Sequence, residues 1–343
     1  VALTHDVTLG EVVQGNAAVT ATGTPYGPAE VATDFRLEGQ ALTLSDLRAE
    51  LLDTIATGGV RVNLDTMLAE GSLEVAASDL SAFSDLAGEP LLGSMTADVT
   101  LTRPEARQDA TLQLEGTGIS GFGASVAEVA GTVSVQDALG TPSAAYGLTL
   151  EGAAAQGATV DQVEVTGTAA DLTGTPSAQA RAVIEGISAP EYEAQVERVE
   201  LELDAEDLLG APRGTVEVSA SGLGGQGATV ETLTLTFDGE NLIEAPAGTA
   251  TLTVRGVAAQ GATVEQATVE VEGADLIAAP SGTAEFSAQG IEAAGIRVAA
   301  LSGEAQGTDL LGAAEGSATV RVEDVSGDAV SVDRATLAVE GTN

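Results

Sequence analysis

From about residue 103 onward the chain repeats itself, and a short fixed period restricts it to a tandem array of one small structural unit. The pairs Asp171-Leu172, Asp207-Leu208, Asn241-Leu242, Asp275-Leu276 and Asp309-Leu310 step by 36, 34, 34 and 34 residues. Pro142, Pro176, Pro212, Pro246 and Pro280 step by 34, 36, 34 and 34. The series Val126, Val160, Val196, Val230, Val264, Val298 and Val332 keeps the same period.

The unit reads as a β-hairpin whose register is written in its apolar residues. In 249–272 these fall at Ala250, Leu252, Val254 and Val257, then at Val264, Ala267, Val269 and Val271. Folding about Gln260-Gly261 pairs 250 with 271, 252 with 269, 254 with 267 and 257 with 264. Thr253 then faces Thr268 and Thr251 faces Glu270. Alternation of period two with matched partners is what a half-buried antiparallel pair requires. The preceding unit folds about Gln226-Gly227 and pairs Val218 with Leu235, Ala220 with Leu233 and Leu223 with Val230. The unit at Gln156-Gly157 pairs Leu148 with Val165 and Leu150 with Val163. The unit that is two residues longer pairs Ile187 with Val196 and Ile184 with Val199, which puts the extra residues at the tip, around Pro190 to Tyr192, where insertions disturb least.

One irregularity recurs. The apolar step is three instead of two at 254 to 257 and at 264 to 267, directly opposite each other. It predicts a bulge or bend at the same height in every hairpin, hence a sheet folded along a line into a trough. Segments such as Asp207-Leu208-Leu209-Gly210-Ala211-Pro212-Arg213-Gly214 read as loops between hairpins, because Pro cannot donate to a ladder. Residues 1–102 are less regular. They alternate like strands at Val7-Thr8-Leu9 and Val60-Arg61-Val62-Asn63-Leu64. A short helix is expected at Asp79 to Gly88, capped by Ser78 or Asp79 and stopped by Gly88; a second helical reading covers Ser45 to Ile55, where a strand is the alternative. The expected architecture is therefore all-β: an elongated antiparallel sheet of stacked hairpins, irregular over 1–102 and tandem over 103–343, with at most one or two short helices.

Composition agrees with a repetitive sheet more than with ordinary globules. Apolar residues make up 44% of the chain, yet there are 42 Gly, no Trp, no Cys and only eight Phe and Tyr together, so the apolar area is aliphatic. The net charge is −40 and all twelve basic residues are Arg. Such a chain is repelled by nucleic acid and by anionic membrane surfaces, and the charge serves to solvate the face opposite the apolar one. The chain starts at Val1 without a basic and apolar leader, and reads as part of something longer. No run of 18 apolar residues occurs, so no segment is expected to span a membrane as a helix.

Since no series of amphipathic helices exists to cover it, the apolar face must meet either the sheet's own other half or a ligand. The Asp-Leu-x-Gly-x-Pro-x-Gly linkers, together with Ala77-Ser78-Asp79-Leu80-Ser81-Ala82-Phe83 and Leu86-Ala87-Gly88-Glu89-Pro90-Leu91-Leu92-Gly93, resemble the TamB family of AsmA-like, bridge-type lipid-transfer proteins of the Gram-negative envelope. The resemblance covers most of the chain, without the family's membrane anchor. It implies a periplasmic β-taco whose groove carries phospholipid acyl chains between the inner and outer membranes. It also implies an outer-membrane barrel partner, TamA, for the full-length protein. The groove would be lined by Leu148, Leu150, Val163, Val165, Ile184, Val199, Leu201, Val218, Leu233, Leu235, Leu252, Val254, Val269, Val271, Val320 and Leu337. The competing class is a structural β-solenoid stalk or surface adhesin with a closed core and no ligand; a third is the non-catalytic repeat region of an enzyme.

Motifs for chemistry are weak, and no enzymatic activity, cofactor or metal is expected. Gly116-Thr117-Gly118-Ile119-Ser120-Gly121 and Gly222-Leu223-Gly224-Gly225-Gln226-Gly227 match G-x-G-x-x-G, but both end a strand with no helix to bind a phosphate, so turn glycine is the better account. His5 is the single histidine, too little for a zinc site without several carboxylates or for a Ser-His-Asp triad without a G-x-S-x-G elbow. The acidic stretches lack calcium-loop spacing. Carboxylates such as Glu270 and Glu272 read as a solvated face.

Overall fold

The computed structural model describes residues 2–24, 27–241, 243, 245–275, 280–308, 315–327 and 330–342, with backbone alone at 23, 24, 330 and 342. Leu242, Leu276, Asp309 and Leu310 of the repeated Asx-Leu pairs lie outside the described residues. The fold is all-β and antiparallel, in two compact units, 1–156 with 160–174 and 175–343 with 157–159.

The first unit contains β1 (Ala2–Thr8), β2 (Val12–Thr24), β3 (Gly27–Glu38), β4 (Ala41–Leu51), β5 (Thr54–Asn63), β6 (Ala69–Ala77), β7 (Leu92–Thr102), β8 (Asp109–Gly121), β9 (Ala124–Gln136) and β10 (Ser143–Ala155), and most of β11 (Ala158–Ala170). From β1 to β10 each strand pairs with the next in sequence. Register shifts interrupt the pairs β2–β3, β3–β4, β4–β5 and β7–β8, whereas β8–β9 has none. The irregular reading of 1–102 thus has a concrete form: extra residues in the ladder.

One such shift corrects an expectation. Ser45 to Ile55 forms no helix; it lies on β4, a turn and the start of β5. Leu44 and Leu47 both face β5 across a register shift, and Asp46 between them is left-handed, with φ of 51°. The shift creates an apolar step of three, which imitates helical spacing. The helix expected at 79–88 is present, as a 3-10 turn Leu80–Phe83 running into one α-turn, Ser84–Ala87. The Asp79 carboxylate caps it by accepting from the Ser81 N–H at 2.8 Å, and Gly88 ends it at φ 73°. Two further 3-10 turns occupy Pro104–Ala106 and Pro190–Tyr192.

The second unit contains β12 (Ser177–Ala189), β13 (Ala194–Glu206), β14 (Arg213–Gly225), β15 (Ala228–Glu240), β16 (Ala247–Ala259), β17 (Ala262–Ala274), β18 (Ser281–Ala293), β19 (Ile296–Thr308), β20 (Glu315–Gly327) and β21 (Val330–Thr342). Each is 13 residues long and pairs with the next without a register shift. Within this unit the pairs read from the sequence are those observed: Leu252 with Val269, Val257 with Val264, Val218 with Leu235, Ile187 with Val196 and their companions. The tips follow from their residues. Gln226-Gly227 and Gln260-Gly261 both have positive φ at their two central positions (50° and 76°, 50° and 83°), the geometry a two-residue hairpin turn demands. In the longer hairpin the extra residues form the 3-10 turn Pro190–Tyr192 at the tip.

The step of three is a bend and not a bulge. Arg255 still opposes Gln266 and Val257 still opposes Val264, so no residue is added. The turn of the strand is made at Gly222, Gly256 and Gly290, with φ of 63°, 62° and 61°, and at Asp324 with φ of 50°. Residues with side chains adopt this region at a cost, Asp and Asn least.

Linkers obey the same logic. Asp137, Asp171, Asp207, Asn241 and Asp275 are all left-handed, with φ of 50° to 54°. In the second unit the Gly210 N–H donates to the Asp207 carbonyl at 3.0 Å, and the Ala211 N–H to its carboxylate at 3.1 Å. The Leu208 N–H then ties the loop to the Pro176 carbonyl of the previous linker. Asp207→Asn is expected to be neutral, since Asn241 holds the equivalent place. Asp207→Ala is expected to cost about 1–2 kcal/mol. Hydrogen exchange at Leu208 and Ala211, compared across the two variants, measures the difference.

Candidate functional site: an uncovered apolar face

In the second unit, backbone register assembles the apolar side chains into rows running across the strands. The central row is Ala182, Leu201, Val218, Leu235, Leu252, Val269, Phe286, Gly303, Val320 and Leu337, one residue from each of β12 to β21. At about 4.8 Å between strands this row is roughly 43 Å long. A second row contains Ile184, Val199, Leu233 and Val254, with Leu301 and Val322 continuing it; a third contains Val216, Phe237, Val271 and Val339. The one gap, Gly303, is covered by the Phe286 ring, which occupies the space a side chain would need.

The face has no cover among the described residues. Leu201 and Leu235 are 37% exposed, Val269 38% and Val271 41%, and Val218, Leu252 and Val320 are half-buried. Among the described residues of both units, Leu68, Ala77 and Ala205 are the buried hydrophobic ones, and no large side chain is wholly enclosed. A sheet of this size with a packed second layer would bury its Leu and Val almost completely.

All sixteen expected lining residues are on strands. Ile184, Val199, Leu201, Val218, Leu233, Leu235, Leu252, Val254, Val269, Val271, Val320 and Leu337 fall in these three rows. Leu148 and Leu150 lie on β10, opposite Gly131 and Val129, and Val163 and Val165 lie on β11. The first unit has apolar rows of its own, such as Leu73, Val99, Leu112, Val133 and Tyr146. The sequence reading missed Phe286, Phe237, Val216, Leu301 and Val339, although the repeat marks them: Phe286 stands one period after Leu252.

At the linker end the same face runs out into glycine. Gly214, Gly239, Gly248, Gly273, Gly282, Gly307, Gly316 and Gly341 oppose one another strand by strand. Gly239, Gly248, Gly273 and Gly282 line a recess of about 620 Å³ together with Asp238, Glu240, Glu272 and their neighbours. The opposite face carries Glu217, Thr236, Thr251, Glu270, Glu285 and Glu304 in one row. Arginines there are drawn into pairs, Arg181 with Glu200, Arg198 with Glu185 and Arg213 with Glu206 at 2.7 Å, which leaves the acidic excess to water.

The remaining motifs resolve structurally. Both G-x-G-x-x-G segments end strands, β8 and β14, and their Gly118 and Gly222 are bend glycines. His5 sits on β1 opposite Ala17 and is exposed. Among the described residues no group of three or more His, Asp and Glu is placed to hold a metal. In the first unit, hydrogen bonds from Arg103 at 2.7 and 3.0 Å hold the Glu70 carboxyl below its usual range, and the Ser81 hydroxyl and N–H do the same for Asp79. Both are solvent-facing structural pairs. Comparison with known protein families, with curated proteins and with solved structures finds no match.

Proposed function

We propose that this chain is a non-enzymatic carrier of phospholipid acyl chains, seated on the apolar face of its hairpin array, in the manner of the TamB-like bridge proteins of the envelope. The observation that carries the reading is the row from Ala182 to Leu337, its one gap at Gly303 filled by the Phe286 ring, half-exposed along its length with nothing among the described residues packed on it. An acyl chain in water costs about 0.8 kcal/mol per methylene, so a dozen methylenes cost on the order of 10 kcal/mol. A row of small aliphatic side chains removes that cost with no reacting group, and function then lies in a surface. Under the same reading the protein works in the periplasm, between inner and outer membranes, with the TamA barrel as the outer-membrane partner of the full-length protein. A closed-core stalk or adhesin is less well supported, because its core would require buried Leu and Val.

The test is native mass spectrometry with lipid extraction, on the chain purified from a Gram-negative host. Co-purifying phospholipid, or uptake from added vesicles, is the expected result. A protein that carries no lipid and takes none up would return the reading to a structural stalk.

A further inference from the structure

Every charge described in the second unit stands away from its apolar rows. On each strand from β12 to β21 the residues that share the face of the central row are apolar or glycine, as with Leu233, Phe237 and Gly239 on β15 and Ala267, Val271 and Gly273 on β17. The seven arginines of the unit, from Arg181 to Arg334, take the alternate positions that face the other way, and the chain has no lysine. Six of them pair with a glutamate of the same unit, Arg321 the most loosely at 4.0 Å. The seventh, Arg255, opposes Thr232 and Gln266 on the far face.

A headgroup whose acyl chains lie on these rows must leave the face at one of its ends. At the linker ends of β13 to β17, Arg213 is the one cation among the described residues, against Glu206, Asp207, Asp238, Glu240 and Glu272. The hydrogen bond from Glu206 holds the Arg213 guanidinium above its ordinary range, and Asp207 and Glu240 add to that field. A zwitterionic headgroup carries its own ammonium, which neutralises its phosphate and is attracted by carboxylates. A headgroup with a net negative charge meets repulsion there, and the neighbouring arginine already serves a glutamate.

We propose that the second unit selects phospholipids with zwitterionic headgroups, choline or ethanolamine, over those with a net negative charge. This rests on the carrier reading above and narrows its substrate.

The test is uptake by the full chain from vesicles made of equal parts phosphatidylcholine and phosphatidylglycerol. Both lipids leave the same vesicle, so repulsion between the vesicle and the acidic protein cancels from their ratio. At about 10 mM salt, where the screening length is about 30 Å, bound lipid should be enriched in phosphatidylcholine about fivefold. At about 1 M salt, where that length is about 3 Å, the ratio should approach that of the vesicle. Glu240→Lys with Glu272→Lys should raise the phosphatidylglycerol share at low salt. A bound ratio equal to the vesicle's at low salt, enrichment in phosphatidylglycerol, or a preference that salt does not change overturns the proposal. Absence of both lipids would overturn the carrier reading itself, which the total of bound lipid reports separately from the ratio.

Discussion

Leu235→Asp is expected to strip phospholipid from the protein while leaving its β-sheet circular dichroism intact. Both halves follow from the same geometry. Leu235 lies mid-row, between Val218 and Leu252, so an ionised carboxylate there would be sealed under any acyl chain on the row. Desolvating an unpaired charge costs several kcal/mol, and bound lipid should fall at least tenfold. In the free protein the same side chain is 37% exposed, so the carboxylate stays hydrated and folding pays little. Val269→Asp should behave alike. The informative failure would be cooperative unfolding of both variants, since that is how a closed core responds. Retained lipid in a folded variant would show instead that lipid binds away from the row.

Gly248→Ala is expected to be among the most damaging single methyl groups that can be added to the second unit. A Cβ at this position would overlap the main-chain carbonyl oxygen of Asp238 and stand 2.9 Å from Gly239 Cα. Both obstacles are backbone of the adjacent strand, which can move only by opening the ladder. Overpacking of this kind costs roughly 1–3 kcal/mol, and Gly214 and Gly282 are equally confined, against Ala205 and Gly273. Gly341 supplies the control: it occupies the same row, yet nothing lies within 4 Å of its would-be Cβ. Gly341→Ala should therefore be neutral. Denaturant titration of the two variants decides the point, and equal midpoints would mean that the strands are spaced more loosely than the register implies.

Most of the second unit was legible in the sequence because a period-two face leaves little freedom. Once Leu252 was set against Val269, the tip at Gln260-Gly261 followed, and the apolar step from Val254 to Val257 marked a bulge or a bend without deciding between them. Legibility failed where the ladder holds extra residues. Around Asp46 a register shift made strand spacing look helical, and no local feature distinguishes the two. The lining residues were legible as a set, but Phe286 and Leu301 escaped because apolar alternation was read hairpin by hairpin and not carried across the period. Whether the face was covered could not be read at all. Aliphatic alternation is the same for a closed sandwich and an open sheet, and exposure is a property of three-dimensional packing.

Main strand contacts within each unit are confined to ladder neighbours. Stability in such an array is the sum of each hairpin's own worth and that of its two junctions. Opening should therefore begin at an end and proceed like a zipper, strand after strand, instead of as one all-or-none event. A weakened junction in the middle would divide the second unit into two blocks that melt separately.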